Sequence, residues 1–298
     1  MNKNDVHQGH YIEIFPEELS TIPVSTLVQV LQTELAPLQL YANAAVGYVQ
    51  QQSSLYSSDD TNNNNNNSTT GSSNHYNRLR DALVLLQAAA DEAPRPTSNS
   101  SSTNNDEYQK IMVRILAATG ICHLGLATFS SGISTSHLGG KSDTTNDPNN
   151  SSSNNRNSIQ LQREIADQKF TQATAIDQLY PMTWIGKGMY HLSMSTSNSN
   201  NNNSNNNNAQ QQAISQAKFF FQTTVKECGP VLPGLLGMAA VLYHEKKYQN
   251  ALTMYSEAIR RYPQEEYMNG CGASTRVGFA VCCYQLGQVD RAKAAFHQ

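Results

Sequence analysis

The sequence predicts an all-α protein, a solenoid of about four and a half antiparallel helix hairpins interrupted by disordered Asn/Ser-rich loops. The first observation is a clean unit of 34 residues, Leu232 to Glu265, in which apolar and small residues recur with the period of two helices. The second is that the same pattern recurs on both sides of this unit. The third is that polar low-complexity runs fall between the patterned segments, where a long loop costs little free energy of folding.

In the clean unit, small residues lie where two helices must approach closely. Ala239 on the first helix and Ala251 on the second allow this approach, while Leu235, Leu242 and Tyr255 fill the space around them. The spacing is that of the tetratricopeptide repeat (TPR), which has a period of about 34 residues. We expect the following small, apolar or helix-ending residues to be structural positions of this and the neighbouring repeats: Tyr41, Ala45, Tyr48, Trp184, Gly188, Leu235, Ala239, Leu242, Ala251, Tyr255, Ala258, Pro263, Ala280, Ala292 and Phe296.

The repeat register divides the chain into an N-terminal extended segment, residues 1–23, and a TPR array, residues 24–298. The predicted helix pairs lie near 24–52/76–92, 107–129/159–179, 182–194/211–228, 232–246/248–262 and 273–287/289–298. The register of the helix at 107–129 does not follow from the pattern. Because Gln298 lies inside a second helix, we expect an N-terminal fragment of a longer solenoid, which frays from its C-terminus and leaves Phe279 and Phe296 partly uncovered.

Low-complexity insertions occupy residues 53–75, 97–105, 130–158 and 195–210. Polar tracts of this kind usually lack structure, because they contain too little apolar surface to offset the entropy of ordering. We therefore interpret them as passive insertions between helices. The alternative is that asparagine runs such as Asn62–Asn67 bind a ligand or aggregate.

Composition disfavours several classes of protein. The first ten residues are polar and contain no apolar run of signal-peptide length, so we expect neither export nor membrane insertion. A net charge of -3 with scattered basic pairs disfavours direct binding of nucleic acid. The cysteines are odd in number and form no CxxC pair, which favours buried free thiols in a reducing compartment: Cys122, Cys228, Cys271, Cys282 and Cys283.

Motifs for catalysis or for cofactor binding are missing from the sequence. It contains no GxxxxGK[ST], GxGxxG, HExxH or GxSxG motif. His7 and His10 are close enough to share a metal ion but lie in a start that we expect to be disordered, and His123 and His191 occupy helical positions where packing is expected. We therefore expect no enzyme activity, no cofactor, no metal site and no small-molecule substrate.

The predicted partner-binding surface is the inner face of the array, which first helices line in a TPR solenoid. The second, fifth, ninth and twelfth positions of a repeat share one stripe of a first helix. Packing against adjacent repeats is the alternative interpretation. The stripe is apolar, whereas TPR proteins that clamp acidic chaperone tails carry Lys, Arg and Asn there. The candidate residues are Met182, Ile185, Met189, Leu192, Leu236, Tyr243, Val277 and Tyr284.

Several segments resemble the early repeats of the large TPR scaffold subunit of the RNA polymerase II-associated factor (PAF) complex. They are Gly229–Leu242, Tyr248–Tyr255, Arg276–Phe279, Leu286–Gln288 and Ala292–Phe296, together with Tyr11–Ile14, Leu27–Gln52 and the spacer Pro263–Gly272. The resemblance implies a nuclear, non-catalytic scaffold in transcription elongation and the histone modification linked to it. Its implied partners are protein subunits of the PAF complex and RNA polymerase II.

Two other functions share the same periodicities. One is a generic TPR adaptor of another assembly. The other is the TPR regulatory arm of an enzyme whose catalytic domain lies beyond Gln298. The partners recovered from cells would separate the first alternative, and the sequence downstream would separate the second.

Overall fold

The structure, a computed structural model, describes residues 23–33, 41, 44–45, 70–93, 102–136, 148–197, 204–263 and 272–297. Within these residues all regular secondary structure is helical, which confirms the all-α prediction. The helices are α1 (Val24–Thr33), α2 (Thr70–Glu92), α3 (Ser102–Ser136), α4 (Pro148–Ile176), α5 (Pro181–Ser197), α6 (Ser204–Glu227), α7 (Leu232–His244), α8 (Tyr248–Arg261), α9 (Ala273–Gln285) and α10 (Val289–Phe296). The chain forms two compact units, Met1–Pro94 and Arg95–Gln298.

In the first unit, α1 packs against α2. Leu27 is buried on α1, and buried residues recur along α2 at helical spacing, among them Ala82 and Ala89. Tyr41 and Ala45, two predicted structural residues, are helical and buried. Tyr48, residues 1–22 of the predicted extended segment 1–23 and most of the predicted helix 24–52 lie outside the described residues.

The second unit is a stack of four hairpins, α3/α4, α5/α6, α7/α8 and α9/α10. Each second helix also contacts the first helix of the next hairpin, and the first helices contact one another in sequence, α3 with α5, α5 with α7 and α7 with α9. This order of contacts is that of a TPR array. The core of the stack includes Phe221 from α6, Val241 from α7, Ala251 from α8 and Cys283 from α9.

Most of the residues predicted to be structural in this unit are buried. The fully or nearly buried ones are Gly188, Leu235, Ala239, Leu242, Ala251, Ala258, Ala280 and Ala292. Trp184 and Tyr255 are half-buried, and Pro263 lies two residues after Arg261, the last residue of α8. Phe296 is more than half exposed at the end of α10.

Aromatic rings of the second helices fit into slots between glycines, a feature that the apolar pattern did not predict. A Cβ atom at Gly120 would lie 2.6 Å from Cε1 of Phe170, and one at Gly186 would lie closer still to the same ring. Phe221 occupies the equivalent slot, because a Cβ atom at Gly188 would lie 2.7 Å from its Cζ, and Gly237 closes the other side. Each ring is thus held by its own hairpin and by the next one.

The glycine slots determine the register of α3. Gly188 is the eighth residue of its repeat counted from Pro181, and Ala239 is the eighth counted from Leu232. Gly120 holds Phe170 in the same way as Gly188 holds Phe221, so Gly120 is also an eighth residue. The eleventh residues of the repeats that begin with α3 and α5 are then His123 and His191.

Helices extend further into the Asn/Ser-rich tracts than the sequence predicted. The predicted insertion 53–75 overlaps the start of α2, and 97–105 overlaps the start of α3. The insertions 130–158 and 195–210 each overlap two helix ends, α3 with α4 and α5 with α6. The physical reason is that extending an existing helix adds one hydrogen bond per residue, whereas asparagine and serine cost only tenths of a kcal/mol there, about 0.5 relative to alanine.

The helices α7 and α9 end in the same type of C-terminal cap. Lys246 has φ of 60° after α7, and Gly287 has φ of 74° after α9. In both caps the following residue donates a backbone hydrogen bond across the turn, Lys247 to Leu242 O and Gln288 to Cys283 O, each 2.9 Å long. These are the bonds of the Schellman motif, which reverses the chain and starts the second helix within a few residues.

Candidate partner-binding surface

The predicted binding residues lie on α5, α7 and α9, which contact one another in the order of the chain. Because these first helices are neighbours, residues at the same repeat position line up from one helix to the next. The structure therefore brings the three predicted groups of residues onto one layer of the second unit. Exposure within that layer differs from residue to residue.

Three of the predicted binding residues are exposed. Tyr284 is 62% exposed and Val277 is 46% exposed on α9, and Met189 is exposed on α5. The other apolar candidates are half-buried and pack against the core with part of their surface: Met182, Leu192, Leu236 and Tyr243. These seven residues form a discontinuous apolar surface of exposed and half-buried side chains.

The prediction that Ile185 is exposed to a partner is wrong. Ile185 is only 1% exposed and belongs to the core cluster that contains Ile214, Phe221 and Met238. It is the fifth residue of its repeat, as Val277 is on α9, yet α5 has a neighbouring first helix on each side. The alternative interpretation, packing against adjacent repeats, holds for this residue.

An ion-pair network joins the hairpin α5/α6 to the hairpin α7/α8. Lys218 Nζ on α6 lies 2.8 Å from Glu245 Oε1 at the end of α7, and Lys247 Nζ lies 2.7 Å from Glu245 Oε2. Burial acts to raise the pKa of Glu245, but the hydrogen bonds from the two lysines outweigh it and lower the pKa overall. Glu245 is therefore a carboxylate at neutral pH.

The two histidines at the eleventh repeat position are half-buried. Burial lowers the pKa of both, although Gln162 acts against this at His123 and Asp167 acts against it at His191. His123 Nδ1 is 2.7 Å from Gln162 Oε1 on α4. Packing therefore explains both histidines. Among the described residues, no three His, Cys, Asp or Glu side chains lie close enough together to hold a metal ion.

The four cysteines in the described part of the chain, Cys122, Cys228, Cys282 and Cys283, are free thiols. Three of them are buried, and Cys228 is half-buried. Burial raises the pKa of Cys122 and that of Cys282 to about 11, so neither is an activated nucleophile. Cys271 lies outside the described residues.

One stretch of α3, Asp106–Thr128, is long and apolar enough to cross a membrane by length and composition, as judged from the residues that the structure describes. Leu124 in this stretch is buried against Ala166 and Phe170 of α4. Val113 and Ile115 are buried as well. A core helix of a folded array has this composition too, so the stretch is weak support for a membrane span.

The chain is similar in sequence to a plant protein and in structure to a bacterial TPR protein. The chain is 30% identical over 131 residues, 44% of its length, to the Arabidopsis thaliana protein named "Protein CTR9 homolog". The match covers 10% of that protein, so the chain spans about a tenth of the relative's length. No protein-family model matches the sequence.

One similar solved structure is the crystal structure of a thermophilic TPR protein from Thermus thermophilus. It is 11% identical with a TM-score of 0.49, covering 88% of this chain and 89% of that one. The repeat assignment here depends on the alanines, glycines and rings of the four hairpins in the second unit.

Proposed function

We propose that this chain is a protein-protein interaction scaffold of a PAF-type complex, acting in the nucleus in RNA polymerase II transcription elongation and the histone modification linked to it. The observation that carries the proposal is the similarity over 131 residues to the Arabidopsis protein. We take this similarity and the resemblance of the repeats to the PAF scaffold subunit to have the same origin. The mechanism is binding, and it makes or breaks no covalent bond.

The proposed contact surface uses the exposed residues of the first helices. Met189, Val277 and Tyr284 supply the exposed apolar area, and Tyr243 lies between them in the order of the helices. Burying apolar area contributes roughly 25 cal/mol for each Å² removed from water, before the cost of ordering the partner is subtracted. Tyrosine and methionine side chains suit such a surface, because tyrosine is rigid and methionine adapts its shape.

The test is a double substitution on this surface, Met189→Asp with Tyr284→Asp. We expect it to reduce co-purification of PAF subunits and RNA polymerase II from nuclear extract by at least about tenfold, since each residue would bring a charge into an apolar contact. The matched control is Leu161→Asp, at a residue 54% exposed on α4, outside the first helices. Undiminished recovery by a folded double variant would refute the surface.

The same purification tests the function separately from the surface. If the unmodified chain recovers PAF subunits, the scaffold proposal stands whatever the double variant does. If it recovers another assembly and no PAF subunit, the chain is an adaptor of that assembly and the proposal fails.

A further inference from the structure

A group of aromatic rings connects α5 and α6. The ring centroid of Phe220 lies 5.7 Å from that of Trp184 and 5.3 Å from that of His191, which stacks on it with an interplanar angle of 6°. Phe219 meets Phe220 edge-on at 5.5 Å. We call these four residues, together with Lys187, the α5/α6 aromatic patch.

The aromatic patch lies on a different side of α5 from the proposed partner surface. Trp184, Lys187 and His191 are the fourth, seventh and eleventh residues of the repeat, whereas Met189 and Leu192 are the ninth and twelfth. At 3.6 residues per turn, Met189 points about 140–160° away from the three patch residues, and Leu192 about 80–140° away from them. The patch is therefore a second surface.

Exposure sets this patch apart from a core cluster. Phe219 is 59% exposed, and the other four members of the patch are half-buried. A single exposed apolar side chain is ordinary, but contiguous aromatic rings around one are the composition of a protein interface. The indole N–H of Trp184 donates to the backbone oxygen of Gln178, so it is the ring faces that remain for contact.

The charge of the patch itself is positive and comes from Lys187. Lys187 Nζ lies 6.0 Å from the ring centroid of Phe220, and no ion pair of Lys187 occurs within the described part of the chain. The residues one turn from Phe219 on α6 carry no charge: Ser215, Gln216, Gln222 and Thr223. Asp167 on α4 acts on His191, where it raises the pKa against the effect of burial.

We propose that the α5/α6 aromatic patch is a docking site for a partner segment that presents a bulky apolar side chain next to a carboxylate. The apolar side chain would cover Phe219 and Phe220, and the carboxylate would pair with Lys187. Asp167 disfavours a continuous acidic run, because a second carboxylate near His191 would meet a like charge. The partner therefore presents one carboxylate beside its apolar residue rather than an acidic tail.

Trp184 makes the site directly observable, because it is the only tryptophan in the chain. The probes are two short synthetic peptides, each with a phenylalanine and a leucine at the centre, flanked by one glutamate in the acidic probe and by one lysine in the basic probe. We expect the acidic probe to shift the tryptophan emission of the full chain saturably, and the basic probe to bind at least about tenfold more weakly, as for loss of a favourable contact at an interface.

Substitutions locate the binding. Phe219→Ser should weaken binding of the acidic probe by at least about tenfold, the loss typical of an interface hot spot. Leu161→Ser, which removes an equally exposed apolar side chain from α4, should leave it unchanged. Lys187→Gln should remove the preference for the acidic probe, and Lys187→Glu should reverse it, with far-UV circular dichroism confirming that each variant is folded.

Three outcomes would overturn the proposal. They are an emission that neither peptide changes, equal binding of both peptides, and equal effects of Phe219→Ser and Leu161→Ser. The proposal does not depend on the proposed function, because Met189→Asp with Tyr284→Asp should leave binding of the acidic probe unchanged.

Discussion

The hairpins α5/α6 and α7/α8 share one backbone plan but differ in the face that joins their two helices. Both place a small residue at the eighth repeat position, Gly188 and Ala239, and both bury an alanine of the second helix four residues before an aromatic ring, Ala217 before Phe221 and Ala251 before Tyr255. At the fourth, seventh and eleventh positions, α7 has buried aliphatic residues whereas α5 has half-exposed polar and aromatic ones. The sets are Leu235, Met238 and Leu242 on α7, and Trp184, Lys187 and His191 on α5.

This difference teaches which repeat positions are structural and which are available for function. Stacking depends on the ring of the second helix and on the small residues that hold it, as for Phe221 between Gly188 and Gly237. While those contacts are kept, the fourth, seventh and eleventh positions can change from an aliphatic core to a surface with chemistry of its own. The following experiments test that division.

The largest effect is expected where a ring is held between two hairpins. Phe221→Ala should lower the free energy of unfolding by about 3–5 kcal/mol, because it removes a fully buried ring and leaves a cavity. Phe219→Ala, two residues earlier on the same helix but mostly exposed, should change it by less than about 0.5 kcal/mol. Urea denaturation followed by circular dichroism measures both. Similar losses would show that the slot is not structural.

Adding a methyl group at the glycine on the other side of the Phe221 ring should have the next largest effect on the free energy of unfolding. Gly237→Ala would place a methyl group against the Phe221 ring and should cost about 1–3 kcal/mol, despite the better helix propensity of alanine. Gly234→Ala, on the same helix, would bring its Cβ to 3.3 Å from Val231 Cγ2, which a shift of a few tenths of an ångström relieves, so it should cost less than Gly237→Ala. The same urea denaturation compares the two, and a stable Gly237→Ala variant would contradict the slot.

The residue at the eleventh position should make the stability of the α5/α6 hairpin depend on pH, because α5 has His191 there and α7 has Leu242. Burial lowers the pKa of His191 below its ordinary value of 6.5, so the unfolded chain binds a proton at higher pH than the folded one. Stability is therefore complete above that ordinary value and falls as the pH decreases through it. His191→Leu gives α5 the residue of α7 and should reduce the loss of thermal stability between neutral and mildly acidic pH. An unchanged pH dependence would argue against a half-buried, neutral His191.

The smallest effect is expected at the ion pair that joins the two hairpins. Glu245→Gln should lower the free energy of unfolding by about 0.5–1 kcal/mol, because Lys218 and Glu245 are only partly shielded from water. The contribution of Glu245 is present at neutral pH and is lost as the pH falls below the carboxyl's ordinary value, because its folded pKa is lowered. Glu257→Gln removes the exposed pairs with Arg260 and Arg261 on α8 and should have a smaller effect. Thermal unfolding at neutral pH compares the two.

The hairpins could be predicted from sequence where their signal is local. Leu235, Ala239 and Leu242 recur along one helix, so the period alone identifies α7. The register of α3 could not be predicted in this way, because the role of Gly120 depends on Phe170 from another helix. A glycine at the eighth position, paired with a phenylalanine in the second helix, is the signal that would have found it.

The binding surface was harder to predict than the fold. Repeat position identifies the side of a helix, but it does not say whether a neighbouring helix covers that side. Ile185 and Val277 occupy the same position, yet only Val277 is exposed. The aromatic patch was missed for the converse reason, because Trp184 and His191 stand at positions that are core residues in α7.

The lengths of α3 and α4 have a consequence for changes in the length of the segment between them. Ser136, at the end of α3, lies roughly 24 Å along the helix from Gly120, and α4 begins in an asparagine- and serine-rich stretch at Pro148. An insertion or deletion between Ser136 and Pro148 falls far from the Phe170 ring and its glycines, so it should leave that contact unchanged.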